Sequence, residues 1–170
     1  MYRRGVPPLS AKEIRQFMLF KELEETDYQT LAEGFTEVTL TGDDYFINYD
    51  DTSSEIYLIV EGHVCIELDT VGYGKEVVAN VGPGSTVGEF ALAKLGRRSA
   101  NVRAVGEVRA LKTSAEKLAS IFQNRPRMGY VVYRNLAEIL VDRLKDTNML
   151  ARNALSTVMD LANKINTTYP

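Results

Sequence analysis

From Glu37 the apolar residues change period, and that change constrains the fold more than any other feature of the chain. Before it, Ile14, Phe17, Met18 and Phe20, then Tyr28, Leu31, Ala32 and Phe35, recur at helical spacing. After it, Val38, Leu40, Tyr45, Ile47 and Tyr49 alternate with polar residues, and apolar runs follow at 56–60, 64–68, 77–79 and 108–111. Gly42-Asp43, Asp50-Asp51, Glu61-Gly62, Gly72-Tyr73-Gly74 and Gly82-Pro83-Gly84 separate these runs with turn chemistry. Short strands at this spacing predict a jelly-roll or barrel-like sheet behind a helical lead-in.

Helix boundaries have their own signals. Residues 1–9, with Pro7-Pro8, read as an arm. Ser10-x-x-Glu13, Thr26-x-x-Gln29 and Thr113-x-x-Glu116 read as capping boxes. Arg125-Pro126 puts proline at the first position of a further helix. Neither glycine nor proline interrupts residues 130–169. There Ala137, Leu144, Ala151, Val158 and Ile165 recur every seven residues, with Leu140, Thr147, Ala154 and Leu161 offset by three. Such a seam predicts a coiled coil of about four heptads, with Thr147 as its polar position. The expected division is a body over 1–125 and a dimerisation helix over 126–170.

At 170 residues, 45% of them hydrophobic, the chain can bury a real core. Its net charge of −3 gives no reason to expect a general nucleic-acid surface. One cysteine, Cys65, excludes an internal disulfide framework. With a single histidine, His63, a zinc cluster is not credible. No apolar run approaches the ~18 residues of a membrane span, and no signal peptide follows the basic N-terminus, so a cytoplasmic protein is expected.

Residues 87–102 concentrate the chemistry. Gly88 allows a positive φ or a close backbone approach. Glu89, Phe90, Ala91 and Leu92 suit one short helical turn whose free amides can face an anion. Arg98, nine positions after Glu89, offers a planar fork of donors for phosphate. An ionised Glu89 only accepts, so it suits a hydroxyl such as a sugar 2′-OH. Ser99 is either a further donor to phosphate or a small residue at a strand start. Taken alone Glu89 is a solvated loop carboxylate; with Gly88 and Arg98 beside it, a sugar phosphate site is the stronger reading. Gly82-x-Gly84-x-x-x-Gly88 lacks both the spacing and the βαβ context of a dinucleotide fingerprint. Asp43-Asp44 and Asp50-Asp51 read as turn residues rather than cation ligands.

The same stretch resembles the phosphate-binding cassette of cyclic nucleotide-binding domains, Gly-Glu-x-Ala-Leu, a short loop, then Arg-small-Ala-x-Val. Gly88, Glu89, Ala91, Leu92, Arg98, Ala100 and Val102 match it. The run from Arg98 to Ala104 is similar to bacterial catabolite-activator-type regulators. Arg97 stands where many relatives have proline, and Asn101 where many have serine or threonine. The resemblance, from about Leu19 to Asn148, implies an α+β, mainly β fold: a jelly-roll-like β-roll with N-terminal helices and a long C-terminal helix. It implies that Glu89 binds the ribose 2′-OH and Arg98 the cyclic phosphate. Arg143-Leu144-x-x-Thr147-Asn148 is similar to the family's Arg-Leu-x-x-Thr-Ser, whose hydroxyls contact adenine from both subunits. Thr147 and Asn148 are then base readers; the plainer reading of Thr147 is a polar seam residue that fixes register.

The function expected is a non-catalytic, dimeric sensor of cyclic AMP, with cyclic GMP as the alternative ligand, and no cofactor or metal. The candidate ligand residues are Gly88, Glu89, Phe90, Ala91, Leu92, Arg98, Ser99, Ala100, Thr147 and Asn148. Partners expected are the cyclic nucleotide and a second copy joined through the C-terminal helix, with neither membrane nor direct DNA contact, since no helix-turn-helix follows the coil before Pro170. The sequence names no downstream partner. Rival readings are a structural dimerisation module with a degenerate pocket, and the sensor part of a cyclic AMP-responsive transcription regulator. A phosphodiesterase is disfavoured, because metal-dependent hydrolysis needs clustered His and Asp ligands.

Overall fold

The computed structural model describes residues 11–42, 44–70, 72, 74–93 and 97–168. The expected arm, the Ser10 cap and Asp43 lie outside the described residues. Helix α1 (Ala11–Arg15), a 3₁₀ turn (Met18–Phe20) and α2 (Glu25–Ala32) come first. Strands follow: β1 (Thr36–Leu40), β2 (Tyr45–Ile47), β3 (Glu55–Thr70), β4 (Gly74–Val81), β5 (Thr86–Val87) and β6 (Asn101–Ser114), with a second 3₁₀ turn (Glu89–Ala93) after β5. Helices α3 (Ala115–Asn124) and α4 (Pro126–Thr168) complete the chain.

All strand pairs are antiparallel. The sheet runs β1-β6-β3-β4, with β2 also on β6 and β5 also on β3. This is the α+β, mainly β fold expected. Alternation sends Ile47, Tyr57, Ile59, Val64, Val87, Val102, Ala104, Val108 and Ala110 into one core. The helical lead-in buries Ile14, Phe17, Leu19, Phe20, Tyr28 and Leu31. Each such side chain is worth about 1.5–3 kcal/mol in removed apolar surface. The Tyr28 hydroxyl donates to Phe20 O at 2.8 Å, so the phenol is buried without an unmet donor.

Three local expectations are corrected. Glu61-Gly62 does not end a strand. The register instead shifts around Glu61, and β3 continues on either side of it against β6. Gly62 makes this bend, at φ +83°; a Cβ there would lie 2.5 Å from Glu107 O. The cap of α2 is Glu24 with Asp27 rather than Thr26 with Gln29: Glu24 N donates to the Asp27 carboxylate at 3.3 Å, and Arg125 also pairs with Asp27 at 3.0 Å. The cap of α3 is Ser114, whose Oγ accepts from Lys117 N at 3.2 Å. Thr113 instead donates to Gly34 O at 2.9 Å from a buried position.

The chain divides into two compact units, Met1–Asn135 and Leu136–Pro170. Helix α4 starts at Pro126, and its residues 126–135 belong to the first unit, where Met128, Val131, Val132 and Asn135 are buried. In the second unit Leu144, Val158, Leu161 and Ile165 of the heptad seam are exposed, as are Val141, Leu150 and Leu155 beside it. No helix among the described residues is long and apolar enough to cross a membrane.

Candidate functional site

β5 pairs with Tyr57 and Leu58 of β3, which fixes where the chain leaves the sheet at Gly88. Gly88 has φ +81°, and a Cβ there would lie 2.5 Å from Glu55 O and 3.1 Å from Arg98 Nη1. Only glycine fits both the backbone conformation and the space. The 3₁₀ turn then opens with Ala91 N donating to Gly88 O at 3.1 Å. Glu89 in its first turn is 1% exposed, Leu92 is buried and Phe90 half-buried.

Arg98 returns to the same place. It is 7% exposed. Its Nε donates to Ser53 Oγ at 3.1 Å, Nη1 to Gly88 O at 3.1 Å and Nη2 to Glu55 O at 2.7 Å. These acceptors are neutral and, among the described residues, use three of the five guanidinium N–H groups, which leaves one on each terminal nitrogen. Burial pushes the Arg98 guanidinium below its ordinary value, while the charges of Glu55, Asp51 and Glu89 act the other way. Burial also opposes ionisation of Glu55, yet its own backbone amide and Lys112, 3.4 Å away, hold its carboxyl below the usual range. A desolvated cation beside a buried carboxylate suits a ligand carrying both an anion and a hydroxyl.

The structure thus brings Gly88, Glu89 and Arg98 together. Ser99 follows Arg98 in an exposed position and Ala100 is half-buried. Thr147 and Asn148 belong to the second unit, where both are exposed. The Thr147 hydroxyl donates to Arg143 O of its own helix at 2.8 Å. His63 is exposed, and Cys65 is buried with Sγ 2.9 Å from Asn80 Oδ1. Among the described residues no group of three or more His, Cys, Asp or Glu gathers as a metal site.

Residues that sequence reasoning passed over complete the setting. Ser53 and Glu55 supply oxygens to Arg98. Asp50 N donates to Arg98 O at 3.0 Å and Arg98 N to Asp51 O at 2.9 Å. The Tyr133 hydroxyl reaches Leu92 O at 3.4 Å. Asp50-Asp51 carried only a turn signal, and a carbonyl acceptor leaves no mark in a sequence.

Comparison with known proteins bears on the same residues. The family model described as cyclic nucleotide-binding domain matches residues 37–125, which contain Ser53, Glu55, Gly88, Glu89 and Arg98. The Pycsar effector protein PaPycTIR of Pseudomonas aeruginosa is 36% identical over 119 residues, 69% of this chain and 36% of that protein. The Catabolite Activator Protein of Thermus thermophilus superposes with TM-score 0.69 and 26% identity over 82% of this chain and 63% of that one. The regulatory domain of Toxoplasma gondii PKA with cAMP does so with TM-score 0.62 and 25% identity over 71% and 46%. The chain spans between 32% and 44% of the curated relatives it matches. The family model covers just over half the chain, and the glycine, glutamate and arginine of the cassette meet in one buried cluster: the chain belongs to the cyclic nucleotide-binding domain family.

Proposed function

We propose that this chain is a cyclic AMP sensor that signals through its C-terminal helix and catalyses nothing. The observation that carries the reading is the buried Arg98, bonded among the described residues to neutral oxygens that leave one N–H on each terminal nitrogen. A cyclic phosphate keeps one negative charge and presents oxygens to such a fork. Glu89 takes the ribose 2′-OH, the 89–93 turn lies beside the phosphate, and Ser99 and Ala100 border it. The similar regulatory domain of Toxoplasma gondii PKA holds cAMP, and the similar Thermus thermophilus protein is a Cyclic AMP receptor protein, which supports cyclic AMP as the ligand. The family is mostly regulatory rather than catalytic.

Base reading falls to Thr147 and Asn148. The hydroxyl hydrogen of Thr147 is committed to Arg143 O, so the oxygen has only acceptor capacity to offer. The exocyclic amine of adenine is a donor; the corresponding carbonyl of guanine is not. The exposed seam of α4, with Leu144, Val158, Leu161 and Ile165, supports pairing with a second copy. Ligand binding then biases a two-state element, the packing of that helix. In the longer relatives the matched region is one part of a larger protein, which suits a sensor module.

Calorimetry with cyclic AMP, cyclic GMP and AMP tests the reading on wild type and Arg98→Ala. Cyclic AMP is expected to bind wild type most tightly, and Arg98→Ala to lose about 2–5 kcal/mol, the cost of a buried charge left unpartnered. Near wild-type affinity in Arg98→Ala refutes the assignment; equal affinity for AMP refutes recognition of the cyclic phosphate.

A further inference from the structure

Asn101 opens β6 and is 3% exposed, yet it belongs to none of the groups that face the proposed ligand. Both ends of its carboxamide are used. Oδ1 accepts from Tyr49 N at 2.9 Å, and Nδ2 donates to Asp69 Oδ2 at 3.3 Å. One side chain therefore ties the start of β6 to the segment after β2 and to the end of β3, where Asn101 lies opposite Glu67 in register.

What Tyr49 begins, the next two residues complete. Asp50 N donates to Arg98 O at 3.0 Å and Arg98 N donates to Asp51 O at 2.9 Å, so this segment grips the backbone of Arg98 from both sides. Arg97 closes the grip from outside, with Nη1 3.0 Å from Asp50 O and 2.7 Å from its carboxylate. Asp50 sits at φ +67°, a left-handed conformation that aspartate tolerates better than most residues, so the segment has one defined shape. Three and five residues after Asp50, Ser53 and Glu55 hold the guanidinium itself. The path from Asn101 through Tyr49, Asp50 and Asp51 to Arg98 consists of hydrogen bonds at every non-covalent step.

We propose that Asn101 is a positioning residue for the ligand phosphate: it sets the backbone of Arg98 through the 49–51 segment and acts without touching the ligand. A shorter hydroxyl side chain at 101 cannot both accept from Tyr49 and donate to Asp69 at the same separation. This rests on the proposed cyclic nucleotide reading of the site, so the test has one arm that uses ligand and one that does not.

The ligand arm titrates cyclic AMP by calorimetry into wild type, Asn101→Ala, Arg98→Ala and the double variant. Asn101→Ala is expected to lose about tenfold in affinity, the worth of one to two hydrogen bonds, and to cost nothing further once Arg98 is already alanine. The second arm follows amide hydrogen exchange without ligand. Exchange at Tyr49, Asp50 and Arg98 is expected to rise about tenfold in Asn101→Ala, as local opening becomes easier, while the Ile59 amide in the core stays protected. Asp69→Ala, at an exposed position, removes only the second anchor; it is expected to shift both readouts the same way by less, and it carries the test if Asn101→Ala does not fold. Wild-type affinity in the Asn101 variant, or in Asp69→Ala when that variant carries the test, overturns the proposal and leaves the ligand site standing. If wild type binds no cyclic nucleotide, the site reading falls, and exchange at Asp50 and Arg98 alone decides: a rise upholds the positioning role, no change overturns it.

Discussion

Arg98 Nη1 donates to the carbonyl oxygen of Gly88 at 3.1 Å, so the cassette arginine is held by the residue immediately before the cassette glutamate. The two ends of the cassette are thereby locked together across a glycine that has no room for a side chain.

Gly88→Ala is expected to damage both fold and binding. The left-handed conformation costs about 1–2 kcal/mol for an L-residue, and the added Cβ meets Glu55 O at 2.5 Å, a backbone atom that cannot swing aside. Urea unfolding is expected to show a loss of at least about 2 kcal/mol, and calorimetry a weaker cyclic AMP complex in the protein that remains folded. Wild-type values in both measurements contradict the geometry.

On the proposed reading Glu89 accepts from the ribose 2′-OH. A 2′-deoxy cyclic nucleotide is expected to bind wild type about 1.5–3 kcal/mol more weakly than its parent, the value of a hydrogen bond to a charged group. Wild type and Glu89→Gln are expected to bind the deoxy ligand about equally. Equal binding of deoxy and parent ligands to wild type gives Glu89 another role.

On the proposed reading Thr147 contributes to base preference. Thr147→Ala is expected to shrink the advantage of cyclic AMP over cyclic GMP by about 1 kcal/mol. Parallel titrations of the two nucleotides against both proteins check it; an equal loss for both nucleotides, or a wild-type preference for cyclic GMP, places base reading elsewhere.

Acid stability is assigned to Glu67. Its carboxylate is 4% exposed and accepts from the Tyr45 hydroxyl at 2.5 Å and from Arg103 at 3.0 Å. The Tyr45 hydrogen bond, then Arg103, hold its pKa below the ordinary 4.5 despite burial. A depressed folded value means that the stabilisation is fully present above about pH 4.5 and is lost as pH falls through the folded value. Tyr45→Phe is expected to lower the melting temperature above pH 4.5 and to flatten its fall below that pH. Melting curves from pH 3 to 7 that stay parallel for the two proteins contradict this.

The sequence by itself determined the change of period at Glu37, the proline that starts α4 and the cassette residues Gly88, Glu89 and Arg98. Each is a local pattern: a repeat, a φ restriction, or a donor and acceptor type at short spacing. What only the tertiary structure decided is how these parts are held. Gly62 reads as a turn, yet it bends one long strand, because β6 pairs with β3 on both sides of it. Thr113 reads as a cap, yet its hydroxyl is taken by Gly34, 79 positions away. Arg98 reads as a phosphate ligand, but Ser53 and Glu55, 45 and 43 positions earlier, carry no sign that they hold it. Two of the three acceptors of Arg98 are backbone carbonyls, which every residue possesses, so only the closing of long loops into one sheet selects which of them meet the guanidinium.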